Sequence, residues 1–105
     1  MNWAYPNAQN YVSTGSATGD FVITEDVGTL RINNDLSQLI IPAANLNKGR
    51  IIRLISWDGN TNKNFVFSGS DNLYDVRNNV NVTFIGPNQI FTIQSAGNRW
   101  ILINR

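Results

Sequence analysis

The residues of this chain that could do chemistry are few, and the commonest kinds are missing. It contains no His and no Cys. That removes the usual general base, the usual nitrogen ligand for a metal, and all thiol chemistry. Carboxylates remain, but paired acids must face one bond from roughly 5–10 Å apart to cleave it. Glu25 and Asp26 are adjacent, so on a strand they point opposite ways and in a turn they are solvated charges. Asp71 and Asp75 flank a turn and read as its caps. Ser16 and Ser70 follow glycines without a Gly-x-Ser-x-Gly frame. The expectation is a protein that is not an enzyme.

Ligand-binding patterns are equally sparse. Asp58-Gly59-Asn60-Thr61-Asn62 copies the first half of a calcium loop, with oxygen ligands at alternate positions. Lys63 then stands where the loop needs Gly, and Gly69 where it needs the closing Glu. The stretch is read as a turn, with no metal and no cofactor expected. Gly15-Ser16-Ala17-Thr18-Gly19 is glycine-rich but lacks the Lys of a phosphate loop. Arg50 and Arg53 sit near Trp57, and strand spacing makes them an edge or interface feature rather than a nucleic-acid patch. Eight basic and seven acidic residues leave a net charge of +1, which favours neither nucleic acid nor an anionic membrane. No apolar run approaches the roughly 20 residues needed to span a bilayer.

A sugar site is the binding chemistry these residue types suit best. It needs an aromatic face beside Asn, Asp and Arg, which offer paired hydrogen bonds. Trp57 with Asp58, Asn60 and Asn62 is one such set, and Tyr74 with Arg77, Asp75 and Asn78 another. Against this, Trp57 and Trp100 read first as core residues and the Asn residues as turn formers.

The elements that must carry these residues are strands. Seventeen Asn and eight Gly favour turns over helices. Ile90–Gln94 and Arg99–Ile103 are rich in β-branched and aromatic residues and flank Ser95-Ala96-Gly97-Asn98, which reads as a hairpin. Further strands are expected at Phe21–Thr24, Thr29–Asn33, Leu36–Ile41 (stopped by Pro42), Arg50–Trp57, Asn64–Ser68 and Val80–Phe84. Ala43–Gly49 suits one helical turn closed by Gly49. The expected fold is all-β, with about seven to eight short antiparallel strands in one sandwich or β-prism-like module over 20–105. Residues 1–19 are polar and aperiodic, and they read as an N-terminal arm. Trp3, Tyr5 and Tyr11 make it an arm that docks, either on another structure as an anchor or on its own domain.

Several strands place apolar residues on both faces. Ile52 and Leu54 share one side of Arg50–Trp57, while Ile51, Ile55 and Trp57 share the other with Arg53. One small core covers one face, so the second is expected to be covered by other subunits.

Some of these residues also carry a resemblance. Ile40-Ile41-Pro42-Ala43-Ala44, then Lys48-Gly49-Arg50-Ile51-Ile52-Arg53-Leu54, an Asp/Gly/Asn-rich loop, Phe65-Val66-Phe67, and Phe91–Leu102 with Gly97 and Trp100 follow in order. The order resembles a β-module of tailed-phage fibres, tailspikes and related virion appendages, with Ile41 where that family more often has Leu. The resemblance spans about residues 20–103. It implies a homotrimer wrapped on a three-fold axis, on the surface of a phage particle, acting in host-surface binding, fibre assembly or attachment. The residues expected at the trimer contact are Ile52, Leu54, Phe91, Ile93, Trp100 and Leu102. Expected partners are further copies of the chain, other virion proteins through the arm, and a host-surface glycan, with no nucleic acid and no membrane insertion. The alternatives are a capsid-decorating head fibre and a monomeric carbohydrate-binding β-sandwich. Opening with Met, the chain reads either as a complete small protein or as a piece of a longer fibre.

Overall fold

A computed structural model describes residues 10–33, 36–57 and 61–105. Eleven short strands run in order: β1 (Tyr11–Ser13), β2 (Gly19–Val22), β3 (Thr29–Ile32), β4 (Leu36–Ile40), β5 (Ile51–Ser56), β6 (Lys63–Val66), β7 (Leu73–Asp75), β8 (Val80–Asn81), β9 (Phe84–Ile85), β10 (Ile90–Ser95) and β11 (Trp100–Asn104). A 3-10 turn at Ala44–Leu46 is the expected helical turn. Gly49 follows it at φ 86°, a left-handed conformation that costs glycine little.

The all-β expectation holds, but the strands are not uniformly antiparallel. They form two mixed sheets, one of seven strands ordered β1-β3-β5-β10-β11-β7-β8 and one of four ordered β2-β4-β6-β9. From β1 to β6 the chain alternates between the sheets. The polar turns between β1 and β6 carry the chain across to the opposite layer rather than back along the same sheet. Strands of one sheet therefore stack in parallel, β1 on β3 on β5 and β2 on β4 on β6. The crossover that a parallel pair requires is supplied by a strand of the other sheet. The result is a short two-sided β-solenoid. Its far end is closed by antiparallel pairing of β10 on β5, β11 on β10 and β9 on β6.

The register explains the core. Val12, Leu30, Leu54 and Phe91 lie side by side across four strands of the large sheet. Phe21, Leu39 and Phe65 do the same across the small one. These two ladders face each other, and Ile23, Val27, Ile32, Leu36, Ile41, Ala44, Ile52, Leu73, Ile85, Ile93, Trp100 and Leu102 complete the buried cluster. The expected hairpin is present, with Gly97 at φ 96° in its turn. The run from Val80 to Phe84 is not one strand; it breaks after Asn81 and resumes in the other sheet as β9.

Two expectations are corrected. The boundary after residue 19 does not separate an arm from a module. Within 10–19, β1 pairs with β3, and buried Thr14 donates its N–H to the Arg31 carbonyl at 2.9 Å and accepts the Asn33 N–H on Oγ1 at 3.0 Å. This segment is the solenoid's first coil, docked on its own domain. Trp3 and Tyr5 lie outside the described residues. Second, Ile52, Leu54, Phe91, Ile93, Trp100 and Leu102 are all buried inside a single chain. A side chain enclosed by its own sandwich has no surface left for another copy. In a pleated strand the alternate positions face out, so any surface for a neighbour lies one residue away.

Candidate functional site

On the outer face of the large sheet, the alternate positions of the central strands are Ile51, Arg53 and Ile55 on β5, Ile90, Thr92 and Gln94 on β10, and Ile101 on β11. Ile51 and Ile90 are each 53 % exposed and Ile103 is 44 % exposed. Cross-strand pairing sets Ile55 beside Ile90, Arg53 between Thr29 and Thr92, and Ile101 between Gln94 and Tyr74. The sequence pattern anticipates this face, since Ile51, Ile55, Trp57 and Arg53 share one side of their strand. Arg53 does not sit at a sheet edge, because β5 is central, and Arg50 immediately precedes that strand.

A groove of about 640 Å³ opens on this face, bounded by Asn10, the Glu25–Thr29 turn, Arg50, Ile51, Arg53 and Thr92. Arg50 builds its wall. Its Nη2 donates to the carbonyls of Thr24 (2.6 Å) and Val27 (2.7 Å), and its Nη1 to Asn47 Oδ1 (3.0 Å). Burial pulls the Arg50 pKa below its ordinary value, opposed by the nearby charges of Asp26 and Glu25. Asp26 is held below the usual carboxylate range, first by the Thr24 hydroxyl and then by its own backbone N–H, with a further contribution from Arg50. Asp26 and Arg50 are thus committed to holding the turn. Among the described residues, Glu25 and Arg53 make no hydrogen bond or ion pair through their side chains, and both face the groove. Sequence reasoning treated Glu25 as a solvated charge. The missing signal was the backbone bond from the Arg53 N–H to the Gly28 carbonyl at 2.9 Å, which folds the turn against the strand.

The expected sugar contacts do not converge. Trp57 is not a core residue; it is 57 % exposed, with the Arg31 guanidinium 4.3 Å from its ring centroid. Trp100 is the core residue expected. Asp58 and Asn60 lie outside the described residues, and Asn62 is exposed. Tyr74 stands three strands from Trp57's strand, about 14 Å across the sheet. Its hydroxyl donates to Asn79 Oδ1 and Arg99 lies 4.8 Å over its ring. Arg77 is exposed in the turn after β7. Tyr11 is exposed on β1.

Asp75 organises that turn. Its carboxylate accepts the backbone N–H of Arg77 (3.1 Å) and Asn78 (3.3 Å), the Asn78 side-chain amide (2.8 Å) and Arg105 Nη2 (2.9 Å). Its pKa is lowered, chiefly by the Asn78 side-chain amide, with the backbone N–H groups and Arg105 adding to it against desolvation. A carboxyl whose folded pKa lies below its unfolded value of about 3.9 stabilises the fold fully above that value. The contribution disappears as pH falls through the folded pKa. Asp75→Asn should therefore melt below the wild type at pH 7. The gap should narrow below about pH 4 in thermal melts from pH 7 to pH 2. A gap unchanged across that range would mean that ionised Asp75 is not what ties the turn.

Among the described residues no three acidic side chains group to hold a metal, and no helix is long and apolar enough to cross a membrane. Comparison of the chain with protein-family models, curated proteins and solved structures gives no match.

Proposed function

We propose that this chain is a non-enzymatic structural module of a bacteriophage particle, a homotrimeric fibre or decoration element on the virion surface that serves attachment. The observation that carries the reading is the set of isoleucines on the outer face of the large sheet. Ile55 lies beside Ile90 at one end of β5 and β10, and Ile51 and Ile101 lie on either side of Gln94 at the other, with Arg53 and Thr92 between the two groups and Ile103 exposed on β11. Singly scattered exposed hydrophobics are ordinary on a soluble protein, whereas several gathered on one sheet face around a few polar residues point to an interaction surface. Copies of one chain meeting with closed symmetry are the commonest way to cover such a patch. The phage setting rests on the resemblance carried by Ile40–Ala44, Lys48–Leu54, Phe65–Phe67 and Phe91–Leu102.

Light scattering coupled to size exclusion tests it. A mass three times that of the 11.7 kDa chain is expected at micromolar concentration. Ile90→Lys, which sets a charge into the patch without touching the core, is expected to lower that mass to one chain while leaving the circular dichroism spectrum intact. A wild-type protein that is monomeric at every accessible concentration would overturn the reading. Neighbouring genes coding for capsid or tail components would support the particle assignment, and neighbours from a metabolic operon would remove it.

A further inference from the structure

We propose that copies of this chain meet through the outer face of the seven-stranded sheet, with Arg53 of one copy paired to Glu25 of the next. The inference rests on the self-association reading above and says where the contact lies.

Size favours this face over its rival. Seven strands at ~4.8 Å spacing, averaging about four residues at ~3.3 Å, cover about 450 Å² in projection. The four-stranded sheet covers about 240 Å² on the same basis. A stable interface buries about 800 Å² per partner. Side chains on a pleated face expose more than its projection, so the large sheet, at nearly twice the projected area, comes nearer that figure than the small sheet. The small sheet does carry an apolar row, Val22, Ile40 and Val66 with exposed Phe84 on β9, but it crosses only four short strands.

Charge then selects the occupant. An apolar patch alone accepts many partners. Four charges line this groove; Arg50 and Asp26 are committed to holding the turn, whereas Arg53 and Glu25 make no side-chain hydrogen bond or ion pair among the described residues. A partner of one sign would satisfy one of them and repel the other. A second copy brings both signs at once, each opposite its complement, and like-charge contact is avoided by the same registration. Other cations of this face are already engaged, Arg31 stacked on Trp57, Arg99 on Tyr74 and Arg105 paired with Asp75. The turn bearing Glu25 is held rigidly by Arg50, whose guanidinium bonds the carbonyls of Thr24 and Val27 on either side of it.

The test is a charge swap read by sedimentation equilibrium on the full chain. Arg53→Glu and Glu25→Arg should each raise the dissociation constant by about tenfold or more, because each sets two like charges together. The double variant Arg53→Glu/Glu25→Arg should return to within about threefold of wild type, since the pair is restored with reversed polarity. Both positions are exposed, so thermal melts of the single variants should stay within a few degrees of wild type, and Ile90→Lys provides a second probe of the same face. If the wild type associates and neither the single swaps nor Ile90→Lys weakens it, the contact lies elsewhere while self-association stands. If the singles weaken association and the double does not recover, the Arg53–Glu25 pairing is wrong. If the wild type does not associate, this inference falls together with the function it rests on.

Discussion

Trp100→Ala should cost about 4–6 kcal/mol of folding stability. The indole is wholly enclosed, at 0 % exposure. It sits in β11 between Ser95 of β10 and Leu73 of β7, and its Nε1–H donates to the Pro42 carbonyl at 2.9 Å. Truncating a buried Trp to Ala typically costs about 3–5 kcal/mol through lost transfer energy and the cavity left behind. The half-buried Pro42 carbonyl stripped of its donor adds about 1 kcal/mol. Domains of this size are stable by about 5–15 kcal/mol in total, so the variant should lose roughly a quarter or more of that. In a urea titration followed by far-ultraviolet circular dichroism its midpoint should fall in the same proportion. Trp100→Phe separates the two contributions. It keeps most of the bulk, loses the bond to Pro42, and should cost about 1–3 kcal/mol. An alanine variant within 1 kcal/mol of wild type would mean that the indole is not enclosed between these sheets.

Trp100 also marks what the sequence makes legible. Local alternation assigns the faces of β5, β10 and β11 correctly. Ile52 and Leu54 lie on one side of β5, with Ile51, Arg53 and Ile55 on the other, and in the hairpin Phe91, Ile93, Trp100 and Leu102 separate from Ile90 and Ile103. Period two is enough for that, because successive side chains of a strand must point to opposite faces. What alternation cannot say is which face is inside. Both sides of these strands are apolar, so the enclosed set was expected between copies when it lies within one. Slipping the assignment by one residue exchanges the whole set, which is why the corrected surface is made of the immediate neighbours.

Strand direction was hidden for a different reason. The turns at 14–18 and around Asn33 have the composition of hairpin turns, and a polar, glycine-bearing turn serves equally to reverse a chain within a sheet or to pass it to a facing sheet. The signal that distinguishes the two is a period. Val12 and Leu30 are eighteen residues apart and in register, as are Phe21 and Leu39. The next step lengthens to twenty-four residues in one sheet and twenty-six in the other, because Pro42–Arg50 is inserted as a loop. A repeat seen once and then broken is too faint to read from one sequence. Lys63 was equally unreadable. In sequence it closes the polar loop that begins at Asp58, but it lies on β6 facing inward, fully buried, with Nζ donating to Ser56 Oγ at 3.0 Å. A lysine is seldom enclosed without a partner, and Ser56 comes from the strand of the opposite sheet.

The solenoid makes a prediction about the N-terminal segment that an appended arm would not. If residues 1–19 were only an anchor, deleting them would leave a folded module. With β1 as part of the large sheet, the deletion removes Val12 from beside Leu30, removes the hydrogen bonds that Thr14 makes to Arg31 and Asn33, and takes Gly19 from the start of β2. Leu30, wholly buried in the intact chain, then becomes the edge of the core. Burying one such side chain contributes about 1.5–3 kcal/mol. Val12 and Ala17, which pack on the same cluster, contribute part of that each. Together with the lost bonds, at about 1 kcal/mol apiece, the deletion should cost roughly 5 kcal/mol. The truncated chain should show a lowered, less cooperative urea transition. Amide exchange should show β3 losing protection that it holds in the intact protein, because its bonds to β1 are gone. β10 and β11 lie on the far side of β5 and should lose protection only to the extent that global stability falls. A truncated chain with an unchanged midpoint and a protected β3 would return residues 10–19 to the status of an appended arm, and the two-sided coil would lose its first turn.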